Sequence, residues 1–282
     1  MRRWWLVILY AATLATVAAL AAHGRRYYLL PIAARPRDSL HWQLKPGGTL
    51  GQLYGVVGLS MMIAMLSYSV RKRLPFLRRV GRLGTWLDVH IYFGVAGPLF
   101  IVLHSALKVG GIIAIAFWSM VAVALSGILG RFLYAQLPRS AAGDELSLED
   151  ARRLEAGLTE RLRDEFALDE RELAALAPVR DLRRRSLAAT LLALLTAPLA
   201  FRRTAARFRR THRQVPAPVA AELVRVARQR SLLRRRLELW RRLHELFHYW
   251  HVFHKPFAIL MYLFAAIHVG VAWATGYLGG YG

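Results

Sequence analysis

Five apolar runs, each long enough to cross a lipid bilayer as a helix, constrain the fold of this 282-residue chain more than any other feature. A helix needs about 20 predominantly apolar residues to cross the hydrocarbon core, where it satisfies its own backbone hydrogen bonds. The composition agrees, because 56% of the residues are hydrophobic and only 20% are charged. The runs cover residues 4–22, 50–70, 86–109, 112–137 and 253–277. The sequence therefore predicts an all-α membrane bundle of about five transmembrane helices.

The runs divide the chain into four predicted parts. Residues 1–22 form an N-terminal transmembrane anchor or an uncleaved signal peptide, since two arginines precede the run and its end resembles a cleavage site. Residues 23–137 contain transmembrane helices 2–4, and residues 138–245 form an insertion. Residues 246–282 contain the last transmembrane helix. The insertion is the one part in which no apolar run is long enough to span.

Basic residues indicate the orientation of the chain, whose formal net charge is +23. The connector at 71–82 carries six basic residues, and residues 136–245 hold 24 arginines against 15 acidic residues. Because cytoplasmic loops are enriched in Lys and Arg, we expect the N-terminus and the insertion to be cytoplasmic, in the inner (cytoplasmic) membrane. The loop at 23–49, with five basic residues, disagrees mildly. Without a nucleic-acid motif or interleaved aromatics, the arginines indicate anionic lipid as partner and not nucleic acid.

The insertion is predicted to be helical. Ser147 is typical of a helix N-cap, and a second helix start is indicated at 168–170. The apolar run at 187–201 is too short to span and is bracketed by arginines, which predicts an interfacial helix on the inner membrane surface. A Pro-Ala-Pro break at 216–218 precedes another Arg-rich helix. The Arg-rich insertion is thus expected to be a membrane-surface platform for a partner protein.

The absence of cysteine limits the chemistry that the chain can support. It excludes disulfides, Cys-ligated zinc or iron–sulfur clusters, covalent haem attachment through C-x-x-C-H and a cysteine nucleophile. Any metal or cofactor must therefore be held by His, by carboxylates or by non-covalent packing.

Histidines at membrane depth are the candidate ligands, since ionisable groups are costly there and usually mark function. His90 and His104 are 14 residues apart, and His254 and His268 have the same separation. Fourteen residues turn a helix through about 1400°, about 40° short of four turns, and rise about 21 Å. Each helix thus presents two imidazoles on nearly one face. Facing helices could hold two flat macrocycles, each iron taking an imidazole from either side. The topology pairs His90 with His254 and His104 with His268.

This pattern predicts two non-covalent, bis-His haem b groups, but other interpretations stay open. A single histidine could be a hydrogen-bonded packing residue, and two non-haem metal sites are possible although no carboxylate accompanies the histidines at depth. His248 and His251 have poorer helical phase with His268 and could contact water, a propionate, a partner or a quinone. Arg131 could bind a haem propionate or snorkel to lipid phosphate. Four glycines could admit a macrocycle or serve close helix packing: Gly94, Gly97, Gly127 and Gly130.

At these residues the sequence resembles the ferric-reductase-like transmembrane superfamily, the membrane core shared by ferric reductases and NADPH oxidases. That family is marked by two helices each carrying His-x13-His, here His90/His104 and His254/His268. The resemblance covers about residues 50–137 and 248–277, and the Ser-Gly-Ile-Leu-Gly-Arg stretch at 126–131 is similar to bacterial members. It implies a bis-histidine, two-haem b-type core that moves single electrons across the membrane.

The chain departs from that family in two respects. It contains no G-x-G-x-x-G phosphate loop of the family's flavin and nicotinamide domain, and a long insertion before the last helix is not typical. We therefore expect flavin, iron–sulfur or cytochrome groups to reside on a redox partner protein.

The leading hypothesis is a transmembrane di-haem b-type cytochrome subunit. It would relay single electrons between a redox partner and an acceptor on the opposite side. Its four histidines would be haem ligands, and no residue is assigned a catalytic role. One alternative is a quinol-oxidising cytochrome b anchor of a peripheral dehydrogenase, in which His248 or His251 would serve the quinone. The other is a non-redox helical transporter or scaffold with structural or proton-handling histidines.

Overall fold

The computed structural model describes residues 4–136, 147–176, 216–238 and 240–276, together with positions 189, 192, 196, 199, 201–203 and 206. Within this part of the chain the regular structure is helical and contains no strand, which confirms the all-α prediction. The helices are α1 (Trp4–His23), α2 (Arg25–Leu29), α3 (His41–Leu44), α4 (Thr49–Ala64), α5 (Ser67–Arg73), α6 (Leu83–His104), α7 (Ile113–Gln136), α8 (Leu148–Asp164), α9 (Glu170–Leu176), α10 (Ala217–Glu238) and α11 (Trp240–Ala274).

Five segments among the described residues are long and apolar enough to cross a membrane, so the architecture is that of a multi-pass membrane protein. They are Trp4–His23, His41–Arg73, Leu83–His104, Ile113–Gln136 and His244–Ala274. The last helix begins well before the predicted run at 253–277. Residues 240–252 are mostly polar or aromatic, so hydropathy does not mark them, but they include no proline or glycine that would end a helix.

The chain divides into two compact units. Unit 1 comprises Met1–Arg131 and His251–Gly282, and unit 2 comprises Phe132–Trp250. The apolar spans lie mainly in unit 1, and the Arg-rich insertion lies in unit 2.

Helices α4 and α6 of unit 1 pack through two glycines. A Cβ atom on Gly58 would lie 2.9 Å from the carbonyl oxygen of Gly97, and one on Gly97 would lie 3.1 Å from the carbonyl oxygen of Gly58. Neither position has room for a side chain, because the two backbones approach directly. Gly97 therefore serves helix packing, one of the two interpretations of its sequence position.

Helix α11 is tied to α4 near the middle of the bundle. The hydroxyl of Tyr262 donates a hydrogen bond of 2.5 Å to the carbonyl oxygen of Met62. Four buried methionines surround this level: Met62, Met65, Met120 and Met261. Thioether side chains are unbranched and fill irregular gaps between helices. This contact lies between His254 and His268 along α11 and fixes that helix against α4.

A segment at 24–48 covers one end of unit 1, and we call it the cap segment. Its Arg35 is only 7% exposed and donates hydrogen bonds to three backbone carbonyls. The acceptors are Tyr28 at 2.9 Å, Leu30 at 3.0 Å and Ala106, beyond the end of α6, at 2.5 Å. Because charged hydrogen bonds are strong, Arg35 fastens the cap segment to the end of α6.

At the opposite end of unit 1, which we call the connector end, a buried arginine again donates hydrogen bonds to backbone carbonyls. The guanidinium of Arg71 is buried and donates to the carbonyl oxygens of Val80 and Gly81, at 3.2 and 2.7 Å. The indole of Trp86 also donates to Val80, at 2.9 Å. Arg35 and Arg71 count in the sequence only as loop charges, the first against the predicted topology and the second for it. In the structure both also hold backbone segments in place.

Unit 2 has its own helical core. Ser147 caps α8 by accepting from the backbone of Asp150 at 3.0 Å, as predicted. Asp169 and Glu172 form a reciprocal capping box at the start of α9, with bonds of 2.7 and 3.0 Å. The buried apolar residues join α8, α9 and α10: Leu162, Leu168, Leu173, Phe201, Leu223, Val226 and Ala227. Arg230 is buried beside this core, 2.7 Å from Thr159 and 3.3 Å from Glu155.

The predicted interfacial helix at 187–201 falls mostly outside the described residues. Its described positions, 189, 192, 196, 199 and 201, are all helical. Leu192 and Leu199 are exposed, whereas Phe201 is buried in the core of unit 2. The last residue of this run thus packs against protein, and contact of the rest with lipid stays a prediction.

Candidate functional site

Helices α6 and α11 place the four predicted ligand histidines in two pairs within unit 1. His90 and His104 lie on α6, and His254 and His268 lie on α11; all four are partly buried. The ring centres of His104 and His268 are 6.2 Å apart, and the ring planes are inclined by 59°. This pair lies at the cap end of unit 1, close to the point where Arg35 holds the cap segment.

The second pair lies at the connector end. His254 interacts electrostatically with His90 and also with His251. The ring of Tyr68 on α5 lies 5.3 Å from the ring of His90. The structure thus places the ring of His104 beside that of His268 and His254 within electrostatic reach of His90, in the parallel pairing that the predicted topology favours.

The α6 imidazoles are oriented by backbone carbonyls. The Nδ1 atom of His90 lies 2.9 Å from the carbonyl oxygen of Met65, and Nδ1 of His104 lies 2.8 Å from that of Gly51. A carbonyl oxygen only accepts, so each Nδ1 carries the hydrogen and donates it. In a neutral imidazole the other nitrogen, Nε2, then has its lone pair free, as a metal ligand requires.

Ser126 on α7 orients His254 in the same way. Its hydroxyl donates to the carbonyl oxygen of Val123 at 2.9 Å, and its oxygen lies 2.7 Å from Nδ1 of His254. Because the serine hydrogen is used on Val123, the serine oxygen accepts from the imidazole. His254 therefore has the same tautomer as the two α6 imidazoles, with the hydrogen on Nδ1. For His268 the described neighbour is the ring of His104.

The geometry of the cap-end pair fits ligands on opposite sides of one ion. Two imidazoles that bound one ion between them through bonds of about 2.0–2.1 Å would have ring centres about 6 Å apart, close to the separation of His104 and His268. The described residues contain no group of three or more His, Asp or Glu side chains that could hold an ion unaided. Each pair could offer two imidazoles to an ion, and the remaining coordination positions would then have to come from a cofactor such as a porphyrin.

Two glycines lie against these imidazoles. A Cβ atom on Gly55 would lie 2.7 Å from Nδ1 of His104, so this position has no room for a side chain. A Cβ on Gly127 would lie 3.9 Å from Cε1 of His254, an ordinary contact. Gly94 would place its Cβ 3.6 Å from the sulfur of Met65. The predicted glycines Gly94 and Gly127 thus have space for a methyl group, whereas Gly55, which the sequence did not single out, does not.

Arg131 forms an ion pair within unit 1. Its Nη2 atom lies 3.5 Å from Oδ1 of Asp88, whose side chain is nearly buried, two residues before His90 on α6. The predicted contact of Arg131 with a propionate stays a prediction, as does the contact of Gly130, which is buried, with a macrocycle.

His248 is exposed and lies against the ring of Tyr249.

The residues that sequence reasoning missed are mainly those that orient the imidazoles. The sequence could have indicated Ser126, because its side chain is a hydroxyl within the apolar run at 112–137. The sequence could not have indicated the carbonyls of Gly51 and Met65, since every residue has a backbone carbonyl.

Comparisons of the chain with family models, with curated proteins and with solved structures give no match.

Proposed function

We propose that this chain is a transmembrane di-haem cytochrome b subunit that relays single electrons across the membrane. The observation that supports it best is the tautomer of three imidazoles. His90, His104 and His254 each have Nδ1 engaged as a donor, so Nε2 is the nitrogen that would bind iron in each. Bound haem b would supply one-electron redox chemistry at the two levels.

The chain's own residues would do three things in this proposal. The paired imidazoles of α6 and α11 hold the macrocycles from both sides. Met65, Gly51 and Ser126 fix the ring orientation through hydrogen bonds to Nδ1, which raise ligand basicity. The surrounding spans exclude water, which lowers the local dielectric constant and tunes the redox potentials. The resemblance to the ferric-reductase-like superfamily is part of this proposal.

Partners and orientation belong to the proposal as well. The distribution of basic residues supports a cytoplasmic insertion in the inner membrane, with lipid around the spans and a redox partner protein at the insertion. The partner would carry the flavin, iron–sulfur or haem group that exchanges electrons with the connector-end pair.

The direct test is haem content and ligand dependence. Purified from the membrane in detergent, the protein is expected to show a Soret band and about two haems per chain by extraction. His268→Ala should remove one haem and His254→Ala the other, each leaving about one. His248→Ala, which alters an exposed histidine of the same helix, is the control and should retain both. A wild-type preparation without haem would refute the proposal and leave the non-redox alternative.

A second candidate function is quinol oxidation at the connector end. Its support is His251, which interacts electrostatically with His254 and lies one turn from it on α11. If a quinone binds there, a quinone analogue should block reduction of the haem that His254 ligates. His251→Ala should relieve that block while the haem content stays unchanged. Unaltered inhibition in His251→Ala would remove this candidate.

A further inference from the structure

Among the described residues, two buried tyrosine hydroxyls at the cap end of unit 1 lack a hydrogen-bond partner. They belong to Tyr28 on α2 and Tyr54 on α4, and Tyr54 is only 3% exposed. The neighbouring Tyr27 differs, because its hydroxyl lies 3.2 Å from Nδ1 of His41. Buried polar groups are nearly always paired, so two orphaned hydroxyls in one region indicate a missing acceptor.

The two hydroxyls belong to one polar cluster. Tyr28 packs against the buried group that contains Tyr54, and the two side chains interact electrostatically with each other. Burial, together with the neighbouring Tyr54 and Tyr27, raises the pKa of Tyr28 to about 12, although Arg35 opposes the rise. The Tyr28 hydroxyl is therefore protonated at neutral pH and is free to donate.

Arg35 gives this cluster a buried positive charge without an acidic partner. Its guanidinium has five N–H donors, of which three bond to backbone carbonyls. The cap segment has one acidic residue, Asp38, which pairs with Arg26 at 3.5 Å and accepts from the backbone of Leu40. Among the described residues, Arg35 therefore has no carboxylate within ion-pair distance. The buried carboxylate of Asp38 is on the same segment, but it is paired with Arg26, so a further anion near Arg35 would be stabilised by its charge.

The space around Tyr28 is narrow. A Cβ atom on Gly24 would lie 2.5 Å from the ring of Tyr28 and 2.9 Å from Leu44. Gly24 and Leu44 therefore hold the ring of Tyr28 in place. A water molecule would also satisfy the hydroxyls, so the positive charge of Arg35 is what favours an anion.

We propose that the cap segment binds one halide ion, chloride in physiological media, which accepts hydrogen bonds from Tyr28 and Tyr54 in the field of Arg35. The ion would neutralise the buried charge that fastens the cap segment to the end of α6. This proposal is independent of haem binding, because all three residues lie outside the histidine pairs.

The first experiment measures thermal unfolding of the purified full chain while sodium chloride replaces sodium gluconate at constant ionic strength. Binding to the native state alone should raise the Tm by a few degrees along a saturating curve, and bromide should act likewise. Tyr28→Phe and Tyr54→Phe should each flatten the curve. Tyr27→Phe, which removes a hydroxyl that already has a partner, should preserve it. A chloride response unchanged in Tyr28→Phe and Tyr54→Phe would overturn the proposal.

The second experiment does not depend on the folding of any variant. Wild-type crystals grown in sodium bromide should show an anomalous peak within hydrogen-bond distance of both hydroxyls. No peak at this position, or an ordered water alone, would overturn the proposal.

Discussion

The two histidine pairs of unit 1 differ in what holds their imidazoles. On α6, His90 and His104 both donate to backbone carbonyls. On α11, His254 donates to the hydroxyl of Ser126, whereas the ring of His104 is the neighbour described for His268. A backbone acceptor persists whatever side chain occupies its position, but a hydroxyl acceptor depends on one residue. In the described part of the chain, hydrogen bonds thus orient imidazoles from both helices in the connector-end pair, but only the α6 imidazole in the cap-end pair.

This difference indicates which substitutions should disturb the imidazoles of each pair. The cap-end pair depends on the close approach of Gly55 to the ring of His104, which is pinned on that side by Gly51. The connector-end pair has more space beside Gly127, and its α11 imidazole is bound by a side-chain hydroxyl, that of Ser126, which a substitution can remove. Substitutions can therefore affect one pair while leaving the other as an internal reference.

The largest effect is expected for Gly55→Ala. The added methyl group would lie 2.7 Å from Nδ1 of His104, so the imidazole must move and lose its bond to Gly51. We expect the haem-to-protein ratio to fall from about two toward about one, with the haem at His90 and His254 retained. Extraction of haem and the reduced-minus-oxidised spectrum measure this.

Gly127→Ala is the matched control, because its methyl group would lie 3.9 Å from His254 and should be accommodated. Equal haem loss in both variants would show that general destabilisation, and not the position of the His104 ring, decides occupancy.

The helical architecture could be predicted because each span is a long apolar run, and the fold class is confirmed. The equal spacing of the histidines predicted two pairs, since helical periodicity alone places residues 14 apart on nearly one face. The structure brings the rings of His104 and His268 to 6.2 Å. Whether they ligate haem stays a prediction.

Other features depend on tertiary contacts that a sequence does not display. The carbonyls of Gly51 and Met65 are chemically the same as any others, so their selection by His104 and His90 arises only when α4 and α6 pack. The buried position of Arg35 is likewise invisible among five basic residues of the loop at 23–49. Hydropathy also placed the start of α11 too late, because it measures apolarity and not helix formation.

An intermediate effect is expected for Ser126→Ala. Removing the hydroxyl leaves Nδ1 of His254 without its described acceptor, so the ring is less well oriented and less basic. Loss of such an outer hydrogen bond typically weakens binding about tenfold or more, so the connector-end haem should dissociate about tenfold more readily. Haem transfer to excess apomyoglobin measures this, with the cap-end haem as the reference.

Ser119→Ala is the control for that variant, because Ser119 is also buried on α7 but lies seven residues from Ser126. It should release both haems at the wild-type rate. Faster release of the cap-end haem from Ser126→Ala would contradict the assignment of this serine to the connector end.

The smallest effect is expected for Arg131→Gln, which tests whether the ion pair with Asp88 or a propionate is its main partner. The arginine side chain is 43% exposed, so solvent screens the 3.5 Å pair and its loss should lower the unfolding free energy by about 1 kcal/mol or less. If Asp88 is the main partner, both haems should remain and the midpoint potentials should be nearly unchanged. Selective loss of the connector-end haem would instead place Arg131 at a propionate. Arg131→Lys separates the two outcomes further, because lysine retains the charge for Asp88 but lacks the bidentate fork that favours a carboxylate of fixed geometry.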